Sequence, residues 1–491
     1  MAWQQARILT PLSQLAMLED LLLLESVRPM NNEEQERLGF TERLGYGLGD
    51  TASNFFFQTF NIFLLYYYTD VFGLSAAAVG TMFFITKLWD ALNDPLMGVI
   101  SDRTETRWGK FRPYLLWMAI PYGVMGCLMF AGPDFTEDGK LVYAWVTYTL
   151  MMMLYTAINV PYSALMGVMT PVSSERTILS SFRFVGAFGG GLLISMMVRP
   201  MVQYFGVDDE ATGFRITMAV FAVVSIAMFW TTFATTRERV TSPPEETVSV
   251  KNDLKILLTT RPWIVLCFAG ILTLTSVALK SAVTIHYFKY YVLDDGSPFV
   301  WIFDATTFFL TMNSLALIIG VCCTKFLSDR FDKKPLLIVL SLLSAISAAM
   351  LFFVPPDQYW FMLAVSCIGA VFSGPTAPLV WAMYGDVADY GEWRHNRRMT
   401  GLVFSASMFA QKFGLTIGAG LSGWLLAYFG YIANAPQTED SMMGIRLLFT
   451  FIPAGVSVLN VIALMFYNLS DAEVADIEAE LEARKKQALP A

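Results

Sequence analysis

The 491-residue chain is 55% hydrophobic and only 15% charged, with a net charge of −8 and a mean hydropathy of +0.51. Soluble domains carry about 25% charged residues, so a set of soluble domains is excluded and a lipid bilayer is the expected surrounding. Acids and bases are divided by loop rather than pooled, which gives a nucleic-acid partner no footing.

Residues 1–43 read as an N-terminal cytoplasmic extension. Its apolar stretch LAMLEDLLLLESV is interrupted by Glu19 and Asp20, is too short to span, and lacks the flanks of a cleavable signal. It is expected to be a surface or disordered segment, and Met30 offers an alternative start. Windows of roughly 20 residues then predict about twelve spans. They fall near 44–69, 76–101, 113–131, 141–165, 178–204 and 214–236, then 261–291, 303–327, 335–354, 358–385, 401–430 and 442–468. The polar stretch RERVTSPPEETVSVKNDLK separates them, so the expected units are two six-helix bundles, 44–236 and 261–468, a cytoplasmic linker at 237–260 and a C-terminal cytoplasmic tail at 469–491. This all-α layout resembles the major facilitator fold. Basic residues gather in one set of loops (Arg103, Arg107, Lys110, Arg112; Arg237, Arg239; Lys325, Arg330, Lys333), and the positive-inside rule puts both termini in the cytoplasm. SDRTETRWGKFRP after span two and SDRFDKKP after span eight form a weak internal repeat. Asp102, Arg103, Asp329 and Arg330 in these loops are candidate gating residues that lock helix ends in one transport state and release them in another.

Span one places Asp50, Asn54, Gln58 and Asn61 on one helical stripe, suited either to interhelical hydrogen bonds or to a cavity that binds sugar hydroxyls. Span two carries Lys87, Asp90, Asn93 and Asp94. Asp90 and Asp94 lie one turn apart where an ionised carboxylate is costly. Either they form a monovalent-cation site for Na⁺ or H⁺, with Thr156 and Asn159 of span four supplying neutral oxygens, or Lys87 makes them part of a structural salt-bridge network. Pro95 is expected to free a backbone carbonyl beside them. Arg183 in span five and Lys412 in span eleven are isolated cations whose expected partners are Asp90 or Asp94. Tyr155 and Trp381 are candidates to stack on a sugar ring, and His286 reads as a packing residue. The cysteines Cys127, Cys267, Cys322, Cys323 and Cys367 read as free, buried and inert.

The gapped pattern Asp94-x3-Gly98-x3-Asp102-x6-Gly109-Lys110-Phe111-Arg112-Pro113-Tyr114 resembles the signature of the glycoside–pentoside–hexuronide:cation symporters, the family of the melibiose permease. YGLGD, LLYYYTDVFGL, WDALNDPLMG, NVPYSAL and DVADYGEW follow in the family's order, so the likeness covers nearly the whole chain after Leu44. The resemblance implies alternating access, a cation site at Asp90, Asn93, Asp94 and Thr156, and pocket or gating roles for Tyr155, Arg183 and Lys412. It also implies a sugar pocket with acids on the first and fourth helices, where this chain has Asn54 and Asn159, and a tryptophan where it has Ser163. These departures point away from melibiose toward another glycoside, an oligosaccharide or an anionic sugar. The expectation is an inner-membrane symporter, active as a monomer, without a cofactor beyond its coupling ion, that imports a sugar with Na⁺ or H⁺. The rivals are an uncoupled facilitator or exporter of the same fold and, more remotely, a membrane glycosidase using the paired carboxylates.

Overall fold

The computed structural model describes residues 38–170, 172–207, 209–240, 255–395 and 400–488. The apolar stretch of the N-terminal extension and most of the expected linker lie outside the described residues. Among those residues there is no strand, only isolated bridges at Thr106–Gly109 and Val300–Phe303.

The first half comprises α1 (Phe40–Tyr66), α2 (Ala76–Asp102), α3 (Arg112–Trp117), α4 (Ala119–Met129), α5 (Glu137–Met169), α6 (Ser173–Phe205) and α7 (Glu210–Thr235). The second comprises α8 (Arg261–His286), α9 (Ala305–Ser328), α10 (Lys333–Met350), α11 (Tyr359–Ser373), α12 (Thr376–His395), α13 (Thr400–Tyr428), α14 (Glu439–Phe449) and α15 (Phe451–Met465). A terminal helix, α16 (Asp471–Ala488), follows. Three predicted spans are broken: α3/α4 meet at Met118, α11/α12 at Gly374-Pro375 and α14/α15 at Thr450, just before Pro453. Proline lacks the amide a continuing helix needs and restricts the residue before it, which accounts for breaks near Pro375 and Pro453.

Among the described residues, eight helices or helix pairs are long and apolar enough to cross a membrane: α5 to α10, α11/α12 and α14/α15. The remaining four crossings, α1, α2, α3/α4 and α13, make twelve. Three of these helices carry Asp50, Asp90, Asp94 and Lys412.

The halves share local construction. Each first helix ends in a π-helical turn rich in tyrosine, Tyr67–Val71 after α1 and Tyr287–Val292 after α8. Such turns recur at functional positions because they re-aim side chains within a helix. Each third span is tied to the end of its own half. Glu238, past α7, accepts the amides of Lys110, Phe111 and Arg112 at 2.9, 2.8 and 2.9 Å. Asp471, past α15, accepts the Lys333 amide at 2.8 Å. Gly109 has φ +109°, and a Cβ there would lie 2.4 Å from the Glu238 carboxylate, so the signature glycine is required twice over. The expected tail is largely α16, which buries Val474, Ile477 and Leu481 against the second half.

Between halves, α2 packs on α13, α1 on α8 and α6 on α9. The α2–α13 contact is closest at Gly80, Gly420 and Gly423: a Cβ on Gly423 would stand 2.4 Å from the Ala76 carbonyl oxygen. Small residues let helix backbones approach where lipid offers no competing hydrophobic drive. The bonds joining the halves run from the level of Lys412 to the end opposite the termini. At the terminal end, Arg43–Glu175, Arg239–Glu42 and Lys333–Asp386 each stay within one half. Asp102, Arg103, Asp329 and Arg330 are exposed there, with Arg330, just past α9, stacked over Phe326 of that helix.

Candidate functional site

The paired carboxylates meet as their spacing predicts. Asp90 and Asp94 share one face of α2, and Thr156 Oγ1 of α5 lies 2.6 Å from Asp90 Oδ1 and 3.0 Å from Asp94 Oδ1. Lys412 reaches across from α13: its Nζ lies 3.1 Å from Asp90 Oδ2 and also bonds Asp94 Oδ2. One ammonium thus bridges two carboxylates belonging to the other half. Asp90 is 8% exposed and Thr156 1%, so water does little to screen that end of the cluster, whereas the Asp94 side chain keeps 28% exposure. Pro95 sits inside α2 and leaves the Ala91 carbonyl without its helical amide. Asn93 makes no hydrogen bond to either carboxylate among the described residues.

Two expected pairings are corrected. Arg183 does not join Asp90 or Asp94; its Nε is 2.9 Å from Asp50 Oδ2 on α1 and its Nη2 donates to Ser163 at 3.1 Å. The geometric reason is that α6 packs along α1, not α2. Lys87 makes no ion pair with the acids of its own helix; its Nζ bonds Asn61 Oδ1 at 3.4 Å. It borders a small cavity of about 110 Å³ with Asp90, Tyr155 and Lys412.

The span-one stripe divides along its length. Asp50 holds Arg183, and Asn54 bonds back to the Asp50 carbonyl at 2.9 Å. Gln58 faces a cavity of about 360 Å³ between the halves, while Asn61 faces the small cavity. Asn159 accepts from Ser53 at 2.7 Å and donates to the Tyr155 carbonyl at 3.0 Å. Tyr155 stacks on Phe57 with centroids 5.6 Å apart. Trp381 lies parallel to Phe404 at 5.9 Å, inside the packing of the second half rather than on the large cavity. Cys322 and Cys323 are exposed rather than buried, whereas Cys267 is buried.

Sequence reasoning missed the cluster at the end opposite the termini. Asp70, on the π turn after α1, has a side chain with 0% exposure. Lys289 Nζ is 2.8 Å and Tyr290 Oη 2.5 Å from its Oδ1, and Tyr431 bonds Oδ2. His286 Nε2 is 3.4 Å from Oδ2 and 3.1 Å from Thr69 Oγ1. The packing histidine is therefore part of a contact between halves. Beside it, Arg199 of α6 bonds Asp304, the N-cap of α9, at 2.5 Å. The usable signal was a single acid ending a tyrosine run in YYYTD, mirrored by YFKYY.

Two kinds of comparison bear on this arrangement. The profile of a family described as "MFS/sugar transport protein" matches residues 45–471. A putative glycoside/cation symporter of Escherichia coli, YagG, is 39% identical over 450 residues, covering 91% of this chain and 95% of the relative. The isoprimeverose transporter of Lactiplantibacillus pentosus is 33% identical over 461 residues, covering 92% and 94%. The solved nucleoside transporter NupG superposes with TM-score 0.59 at 12% identity, covering 87% of this chain and 99% of that one. The D-xylose-proton symporter gives TM-score 0.59 at 13% identity, covering 87% and 97%. The fold is the major facilitator fold, in two bundles of six crossings.

Proposed function

Because this chain belongs to the MFS/sugar transport protein family, we propose that it is a cation-coupled symporter that imports a glycoside or oligosaccharide by alternating access. The termini and the exposed gating residues then face the cytoplasm, and the Asp70 cluster closes the external side. The protein works as a monomer in the inner membrane, because each half supplies part of the cation cluster.

One observation carries the reading: Asp90, Asp94 and Thr156 of one half are held by Lys412 of the other. The oxygens facing each other there suit a small hard cation, Na⁺, or a shared proton. In the state described, the lysine ammonium takes the place of that cation. Arrival of the coupling ion at the carboxylates releases Lys412 and with it a bond between the halves. Sugar that binds better to this loaded form must in turn tighten the cation, by linkage. Gln58 on the large cavity, with Asn54, Ser163, Asn159 and Arg183 behind it, forms the sugar-facing side of the first half. Trp381 acts through packing on Phe404.

Uptake of labelled glycosides into vesicles, with and without an imposed Na⁺ or H⁺ gradient, tests the proposal. Accumulation above equilibrium that follows one gradient and disappears in Asp94→Asn supports coupling. Equilibration indifferent to both gradients would establish the uncoupled facilitator instead.

A further inference from the structure

The large cavity contains one charge that the cation site does not use. It is lined from the first half by α1 and α6 and from the second by α8 to α12 and α15. Its polar surface is nearly all hydroxyl and amide, including Ser276, Ser344, Ser457, Asn313 and Asn460. Lys280 of α8 is the only charged side chain among its described lining residues, with no Asp or Glu facing it. No hydrogen bond or ion pair ties its ammonium among the described residues; its Nζ lies 5.3 Å from the Phe449 ring centroid, with the Cys367 thiol as a further neighbour. The other membrane-depth cations differ: Lys412 holds two carboxylates, Arg183 holds Asp50 and Lys87 holds Asn61. The Asn460 Oδ1 atom is also buried without a partner on the same wall.

An unpaired ammonium inside a membrane protein is expensive, and intramembrane cations ordinarily face a counter-charge or a polar guest. No described residue supplies that counter-charge here. We propose that Lys280 is an anion-reading residue and that the transported glycoside carries a negatively charged substituent, a carboxylate or a sulfonate, that pairs with it. The serine-rich wall then takes the sugar hydroxyls while Lys280 fixes the charged end. This deepens the sugar-symport reading and rests on it for the identity of the cavity as the substrate site.

The test is equilibrium binding to the purified full-length protein of three nitrophenyl glucosides that differ only at C6: hydroxymethyl, carboxylate and sulfonate. A charge-assisted bond in a buried site predicts a preference of about tenfold or more for one or both anions. Lys280→Gln should abolish that preference with an unchanged elution profile, and Lys280→Arg should retain it. Which anion wins separates a uronide from a sulfonated sugar. Equal binding of all three probes, binding of none, or a preference that survives Lys280→Gln would overturn the assignment. Repeating the titrations with Na⁺ replaced by choline, at two pH values, separates the two readings. An anion preference without any cation dependence refutes symport and leaves Lys280 standing; cation dependence without anion preference does the reverse.

Discussion

Replacing Lys412 by alanine tests the central claim, because it removes the counter-charge that the coupling ion is argued to displace. Breaking a buried pair by deleting one partner costs about 3–5 kcal/mol, since the surviving charges are left uncompensated. The Lys412 and Asp94 side chains retain 27% and 28% exposure, so the lower figure, about 3 kcal/mol, applies. That corresponds to a fall in Tm of roughly 3 °C in cation-poor buffer for a chain of 491 residues. A cation bound only by the folded state restores about 2.7 kcal/mol at a hundred times its Kd. Lys412→Ala should therefore start below the wild type and close most of the gap as Na⁺ or H⁺ is raised. It should also bind the cation more tightly, by roughly ten- to a hundredfold, because the internal competitor has gone. Differential scanning fluorimetry of the purified variant across Na⁺, Li⁺ and pH series reads both effects. A gap that stays constant across all three series would mean that Lys412 is a fixed structural tie, and the displacement mechanism would fall.

Three further outcomes follow from the same geometry. Asp94→Asn should abolish gradient-driven accumulation while leaving sugar exchange across the membrane measurable in a counterflow assay. Gln58→Ala should weaken glycoside binding by about fivefold, the worth of one hydrogen bond of roughly 1 kcal/mol, with cation affinity unchanged in the same titration; equal loss of both would point to a folding defect. Gly423→Leu should force α2 and α13 apart where a Cβ already meets the Ala76 carbonyl, lowering stability by about 1–3 kcal/mol and increasing labelling of a cysteine introduced in the large cavity from the external side.

The twelve crossings, the division into halves and the meeting of Asp90, Asp94 and Thr156 were legible in the sequence. Hydropathy fixes spans through the bilayer's thickness, and a four-residue spacing fixes a helical face. Cross-half partners were not legible, because they depend on which helices pack together. Lys412 fits its expected partners since α2 and α13 are adjacent; Arg183 does not, since α6 lies on α1. The Asp70 cluster escaped notice because its partners Lys289, Tyr290, Tyr431 and His286 come from segments more than 200 residues away, and because Asp70 sits on a π turn that hydropathy does not reveal. Lys280 escaped because a lone lysine in a long apolar span has no partner at helical spacing to mark it until the cavity beside it is seen.

The carboxylates of Glu238 and Asp471 give each bundle a stiff rim. By clamping the last crossing of a half to the start of its third, they suppress sliding between neighbouring helices at the terminal edge. A push delivered near mid-membrane is then transmitted as rotation of the whole lever to the distant edge, instead of being lost in internal creep. Weakening either clamp should leave ligand recognition intact and blunt the stroke.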